Sequence, residues 1–401
     1  MSGTGPEGGV GGVGGVGGVG GVGGVGGVGG VGGVGGVGGV GGVGGVGGMG
    51  GYGLPGVADA LIKHRDGIVG NWLGATLNPL LRALDDPANL QAWEPWVRGA
   101  VIDFDLLSHL HVTKHSEAFT YVDQNGATVN KTSNRSVTVW HMNITNTGPG
   151  KSPRATSSRV ATFIRPTTAI FKQQLAFLDQ YADLREDRAS EILSQTVPQF
   201  AFWGSVVYLH PDRTKKTFEL LDAALRLANY VEMRVKHALA CRRANEYSPQ
   251  VQPMILTPGH GSLPSGHATE VHMIARILWE LRGGTPGDAL GVELMRQAAR
   301  IAVNRTVAGM HFPVDSVAGQ MLGLTLARYF VRRAKGNTGF RAWRFDGERY
   351  PGTLDFDFND LYDTNTALQK SASYVDPLPS TLPAGSPVLR WLWTEAAKEW
   401  V

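Results

Sequence analysis

The chain has 401 residues, 37 basic and 34 acidic, and one cysteine, Cys241. A net charge of +3 is too small to argue for nucleic acid, and a lone Cys excludes a disulfide framework or a multi-cysteine zinc site and fits a reducing compartment. The most apolar helical stretch, 314–331, carries Asp315, Gln320 and Arg328, short of the roughly 18 apolar residues a spanning helix needs, and no Lys or Arg precedes Lys63 to start a secretion signal, so the expectation is a cytoplasmic or otherwise soluble protein with no transmembrane segment.

Residues 1–51 form the first expected region. Of 57 glycines, 31 precede residue 51, in a Gly-Gly-Val repeat that runs from Gly8 to Gly48 and closes on Met49. A collagen-like helix wants Pro, which the repeat lacks. Val at every third position buries too little to offset the entropy of ordering so much Gly, so a disordered tail is expected.

The body reads as mainly α, a helical bundle with a small β-hairpin insertion. Residues 52–210 are the N-terminal helical region: apolar residues recur at three and four from Val57 to Leu84, Thr167 to Leu184 and Arg188 to Leu209. Between them Phe119-Thr120-Tyr121-Val122, Asn125-Gly126 and Ala127-Thr128-Val129 spell the hairpin, to which Val137-Thr138-Val139-Trp140 adds a strand. His109, His111 and His115 cluster beside Lys114; without a Cys among them they read as a solvated loop or helix face rather than a metal site. Residues 211–335 are the expected catalytic helical core, with helices over Pro211–Glu246, Ser265–Leu281, Asp288–Val303 and Pro313–Ala334. Residues 336–401, rich in Asp, Gly, Pro and Trp, are expected as an irregular extension with short helices packed on that core.

Three segments of the core carry chemistry. Lys236 and Arg243 lie seven residues apart, close to two helical turns, so both leave one face; alone, such a pair is most often a solvated face, with Cys241 between them a small packed residue. Pro264-Ser265-Gly266-His267 opens a helix, where free backbone N–H groups and the positive dipole end meet a Ser hydroxyl, a Gly that lets a ligand approach, and a His able to exchange a proton; a plain capped helix with a surface His reads equally well. Arg305 offers a planar fork to oxyanions, and His311 sits just before Pro313 with Asp315 four residues on to hold its second ring nitrogen; a core His with a capping Asp is the bland equivalent. Together the segments supply three cations, one helix N-terminus and two histidines, the set a trianionic tetrahedral oxyanion with an axial ligand requires.

This pattern resembles the vanadium-dependent haloperoxidase and type-2 phosphatidic acid phosphatase superfamily. Its signature is a Lys separated by six residues from Arg-Pro, then Pro-Ser-Gly-His, then Ser-Arg separated by five residues from a His, with an Asp nearby. The match covers residues 236–315; Ala244 replaces the Pro and Asn304 the Ser, and the first change is expected to leave Arg243 less rigidly placed. The resemblance implies that Lys236, Arg243, Ser265, Gly266 and Arg305 bind the oxygens of vanadate or phosphate. His311 would be the vanadium ligand or the phosphohistidine nucleophile, His267 the acid/base, and Asp315 the partner of His311.

As a haloperoxidase, the first choice, the protein would hold vanadate as cofactor and convert hydrogen peroxide and halide to a hypohalous-acid-type species that halogenates an organic acceptor, with Lys236 polarising the peroxide. The 185 residues from 51 to 235 that precede Lys236 favour this branch. His260, seven residues before His267, resembles a second histidine that would tune peroxide protonation or halide choice; a loop His facing water is the equal alternative. The runner-up is a soluble acid phosphatase acting on a phosphate ester, and a catalytically silent oxyanion-binding scaffold is the third reading. Oligomeric state is left open.

Overall fold

The computed structural model describes residues 55–70, 86–122, 125–145, 150, 152, 154–197, 199–336, 339–381 and 385–400. The Gly-Gly-Val tail lies outside the described residues, as does 71–84 of the helix expected from Val57. The chain divides into two units, 1–98 and 99–401. In the first, α1 (Pro55–Ile68) carries a Lys63–Asp59 ion pair of 2.7 Å one turn apart, and Asp86 caps a 3-10 turn, Pro87–Ala92, by accepting from Ala88 N at 2.8 Å.

The second unit holds the motifs. α2 (Pro95–Leu107) starts before the boundary and contributes Ile102 and Leu106 to the core. The expected hairpin corresponds to β1 (Leu110–Val122) and β2 (Thr128–Thr145), joined through Gly126 at φ 82°, where the left-handed backbone suits Gly. Val137–Trp140 is not a separate strand but the buried middle of β2. Next come β3 (Arg154–Ile164), α3 (Thr168–Ala182), α4 (Arg185–Ser194) and α5 (Phe200–Gly204). The core helices are α6 (Lys215–Leu239), α7 (Gly266–Leu281), α8 (Ala289–Val307) and α9 (Pro313–Lys335). After them run β4 (Gly339–Asp346), the short pair β5 (Tyr362–Asp363) and β6 (Leu368–Gln369), β7 (Val375–Thr381) and α10 (Pro387–Ala397).

The expectation of a helical bundle with a small hairpin is corrected here. The hairpin is part of a five-stranded mixed sheet in the order β1-β2-β3-β4-β7, antiparallel except that β3 and β4 pair in parallel, Ala161 opposite Trp343. Two of its strands come from the stretch read as irregular. β7 contains Pro377 and Pro379, which argue against a strand until its place is known: it is an edge, where a missing N–H costs no ladder bond. β2 blurs period 2 for another reason. Ser136 to Val139 are all buried in a strand that α6 packs against, and a stretch covered on both faces does not alternate. Likewise α4 and α5 replace the single helix expected from Arg188 to Leu209.

Helices α7 and α9 form the centre of the core, nearly every residue of α9 being buried. They approach closely because Gly319 and Gly323 on α9 face the first turns of α7. A Cβ at Gly319 would lie 2.7 Å from both Ala268 Cβ and Ser265 O, and one at Gly323 would press into the Thr269 carbonyl. Gly319→Val is therefore expected to destabilise the fold by about 1–3 kcal/mol, the usual cost of overpacking, and to weaken phosphate binding by displacing the Ser265 turn. Urea midpoints and phosphate titration check this; a variant as stable and as tightly binding as the parent would show that α7 has room to yield.

Candidate active site

Four helix ends meet where the three motifs converge. α6 ends three residues after Lys236, at Leu239: its cap, Ala240, adopts a left-handed φ of 52° and its N–H closes on Lys236 O at 2.9 Å. Lys236 thus sits at the negative end of the α6 dipole, 1% exposed, with Nζ 3.4 Å from Ser262 O and bonded to Pro264 O. Ser265 caps α7, its Oγ accepting from Ala268 N at 3.4 Å, and its own N–H donates to Asp315 O at 2.8 Å, tying the second motif to the third. The first amides of α7, at Gly266 and His267, have no partner within the helix and are the donors an oxyanion would use.

Arg243 reaches the site from the loop after α6. Ala244 is buried in a 3-10 turn, Ala244–Glu246, and the Arg243 N–H donates to Glu246 Oε2 at 2.7 Å. Its guanidinium donates to His260 O (3.0 Å), His260 Nδ1 (3.0 Å), Met310 O (3.2 Å) and His311 Nε2 (3.1 Å). Arg243 is therefore tightly held without Pro at 244, against the expectation that it would be loosely placed.

The contact to His311 settles a tautomer. A guanidinium only donates, so His311 Nε2 must accept and its proton sits on Nδ1, which donates to Asp315 Oδ2 at 3.1 Å. Asp315 Oδ2 also accepts from Phe312 N at 3.0 Å and from the Ser262 hydroxyl, so one carboxylate caps α9 and orients the imidazole. Burial, followed by Arg243 and Lys236, holds His311 well below the usual histidine range. Burial raises Asp315 to about 6, leaving it ionised at neutral pH. The result is a neutral imidazole whose bare nitrogen faces cations.

His267 and Arg305 share Gln195. His267 Nε2 donates to the Gln195 carbonyl at 2.8 Å, and Arg305 NH2 donates to Gln195 Oε1 at 2.9 Å and to Ile192 O at 3.3 Å. Asn304, which departs from the family pattern, donates to that same Oε1 at 3.0 Å and to Glu191 at 2.8 Å, so it fixes the amide on which Arg305 leans. Arg305 is 1% exposed, and its Nε and NH1 have no partner among the described residues. Burial draws its pKa to about 10, still protonated at neutral pH. Two unpaired buried guanidinium donors fit the oxygens of a tetrahedral oxyanion. Burial and then Arg305 lower His267 to about 4.

Sequence reasoning missed Gln195, Ser262, Glu232 and Glu270. Gln195 and Ser262 carry no signal in the sequence; Glu232 does, standing one helical turn before Lys236. It is 1% exposed, and a Cβ at Gly266 would lie 2.5 Å from its Oε1, so the motif glycine makes room for a carboxylate as well as for a ligand. Burial pushes Glu232 up to about 8 against the pull of Lys236, and pushes up Glu270 beside it. A carboxyl held protonated in the fold costs stability that grows as pH rises from the unfolded value of 4.5 towards 8. Glu232→Gln is therefore expected to stabilise the protein more at pH 8 than at pH 5, by about 1.4 kcal/mol for each unit of the shift. Urea midpoints at the two pH values test it, and an equal gain at both would mean that Glu232 is ionised in the fold.

A depression of about 420 Å³ opens beside the site, its walls including Gln199, Asp222, Tyr230, His267 and Glu270. The histidines 109, 111 and 115 lie elsewhere, His109 in the turn before β1 and the other two on β1 rather than on a loop or helix: His109 donates to Met142 O at 2.9 Å, and His115 pairs with Glu117 at 2.8 Å. Among the described residues no three His, Cys, Asp or Glu side chains gather as a metal site. Cys241 is buried, and burial pushes its thiol up to about 12.

All three motifs fall within a stretch, 224–338, that matches the family model of the PAP2 superfamily. Residues 224–338 belong to the PAP2 superfamily. This is the type-2 phosphatidic acid phosphatase superfamily, which includes the vanadium haloperoxidases, so the resemblance read from the motifs is borne out. The PAP2 segment runs from the middle of α6 to just past α9. Among solved structures, a transmembrane PAP2 type phosphatidylglycerolphosphate phosphatase from Bacillus subtilis aligns with a TM-score of 0.33 and 18% identity, over 42% of this chain and 88% of that one. No curated protein matches the chain. Among the described residues no helix is long and apolar enough to cross a membrane.

Proposed function

We propose that the PAP2 segment hydrolyses a phosphate ester through a phosphohistidine at His311. The observation that carries this reading is the His311 tautomer: with Nδ1–H on Asp315, the Nε2 electron pair points at Arg243, from which it accepts, and an entering phosphate that draws the guanidinium to its own oxygens would release that pair for attack. Those cations, the α7 amides and Ser265 would neutralise the phosphoryl oxygens. Nε2 attacks phosphorus as the ester P–O bond breaks, and the leaving oxygen takes a proton from His267. Water then gives a proton to His267 and attacks phosphorus, breaking the P–N bond and releasing phosphate. His267 titrates near 4 in the free site; an anion beside Arg305 cancels the repulsion and lifts it, so the proton arrives with the substrate.

A second reading, the vanadate-dependent haloperoxidase, is favoured by His260. Its Nδ1 accepts from Arg243 NH2 at 3.0 Å, an additional imidazole on the cradle that phosphoryl transfer does not use. Vanadate would be held by Lys236, Arg243, Ser265, Gly266 and Arg305 with His311 as its ligand, and would supply activation of hydrogen peroxide towards halide. Protein incubated with orthovanadate or with EDTA, then assayed for ester hydrolysis and for bromination of a phenol dye with peroxide, separates the two. Hydrolysis inhibited by vanadate, with no bromination, supports the phosphatase. Vanadate-dependent bromination with little hydrolysis replaces it with the haloperoxidase, and failure to bind either anion leaves the silent scaffold.

A further inference from the structure

At the other end of the α7 and α9 pair lies a cavity of about 400 Å³, within the range of about 300–1,000 Å³ for small-molecule sites. Its nearest α9 arginine, Arg328, is 13 residues beyond Asp315 (328 − 315), roughly 20 Å along the helix at 1.5 Å per residue. Four arginines from three elements line it: Arg276 of α7, Arg328 and Arg332 of α9, and Arg341 of β4. The walls between them are apolar, chiefly Leu324, Phe340 and Trp343, each less than a tenth exposed.

The charge in this cavity is not balanced. Glu280 is shared among Arg276 (2.7 Å), Lys335 (3.0 Å) and Arg328 (4.0 Å). The other nearby acid, Asp363, turns its carboxylate to Thr366 Oγ1 and Asn365 N, both at 2.9 Å. Among the described residues Arg332 and Arg341 have no carboxylate partner, and Arg276, 4% exposed, keeps an unpartnered Nε. Burial and the neighbouring Arg276 and Arg332 draw Arg328 below the usual arginine range, a sign that like charges are crowded rather than spread over a solvated face. Arg276 also donates to Tyr362 OH at 3.4 Å and to the carbonyl of Ala367, a non-glycine residue with a φ of 54°. A residue in that region is held there by its surroundings, and Ala367 is held on the cavity wall.

We propose that this cavity binds an aromatic dianion, a small molecule with one planar apolar ring system bearing two negative groups. The ring would lie against Phe340 and Trp343, and the anionic groups would take the unpaired forks of Arg332 and Arg341 and the free Nε of Arg276. Apolar walls beside a few arginines distinguish this from a surface for a long polyanion, which needs an extended track of cations.

The test uses the full chain and naphthalene-2,6-dicarboxylate as probe, followed by calorimetry and by tryptophan fluorescence. Binding is expected at one site per chain, unchanged in Arg305→Gln, and weakened at least tenfold in Arg332→Gln/Arg341→Gln. The exposed Arg341→Gln alone, expected to weaken binding severalfold, covers the case in which the double variant does not fold. 2-Naphthoate should bind more weakly than the dicarboxylate, since it lacks a charge. No saturable binding, binding unchanged by the Arg332 and Arg341 substitutions, or binding lost in Arg305→Gln would overturn the proposal. Because Arg305 belongs to the candidate active site and Arg332 and Arg341 do not, the outcome is independent of the proposed function.

Discussion

His311→Ala is expected to abolish turnover, by about a thousandfold or more, and with it the retention of phosphate or vanadate. The substitution removes the nitrogen proposed to attack phosphorus or to bind vanadium, and it leaves Arg243 NH1 without one of its acceptors. His267→Ala should behave differently. It leaves Arg243, Lys236 and Arg305 in place, so anion binding persists while turnover falls by about 10²–10⁴, the usual worth of a general acid. Vanadium retained after desalting, measured by elemental analysis, and steady-state rates distinguish the two variants. Stoichiometric retention in His311→Ala would remove His311 from the role of ligand or nucleophile.

Asp315→Asn is the second large effect. The carboxylate oxygen Oδ2 takes three donors, from Phe312 N, the Ser262 hydroxyl and His311 Nδ1. An amide offers one oxygen and one NH₂, and whichever faces His311 disturbs the pattern. If the NH₂ does, Nδ1 must accept and Nε2 carries the proton, which blocks attack and opposes Arg243; if the oxygen does, its acceptor is weaker and the imidazole less basic. Turnover should fall by about 10²–10⁴, by the same tautomer logic that applies to a buried Asp behind a catalytic His. The cap of α9 is weakened too, so stability should fall by about 1–2 kcal/mol. Activity and urea midpoint measured together check both. Unchanged activity would mean that Asp315 only caps the helix.

The candidate site was legible in the chain because its parts are local. Ser265 to His267 open one helix and His311 with Asp315 open another, so local signals place those groups at helix termini, where dipoles and free amides gather; the spacing of Lys236 and Arg243 put both on one helix face, whereas α6 ends at Leu239 and Arg243 lies in the loop beyond it. The substitutions at 244 and 304 were visible, but their consequences were not. Ala244 is accommodated because Glu246 closes the turn, and Asn304 orients Gln195, a residue far away in the chain. Glu232 could have been noticed at one turn from Lys236, yet its contact with Gly266 exists only because α6 and α7 pack together.

What the sequence by itself determined is therefore where the core helices α7, α8 and α9 start and which charged and imidazole groups gather near their ends. Capping residues such as Ser265, Asp288 and Pro313 act within a turn or two of themselves, and apolar spacing selects the helix period without reference to anything distant. Only the tertiary structure decided the sheet, the tautomer of His311 and the sharing of Gln195. β3 meets β4 across more than 170 intervening residues, and β7 is a strand despite two prolines because nothing pairs on its far side among the described residues. Pairing of that kind is a property of what lies opposite, and a linear chain does not carry its own neighbours.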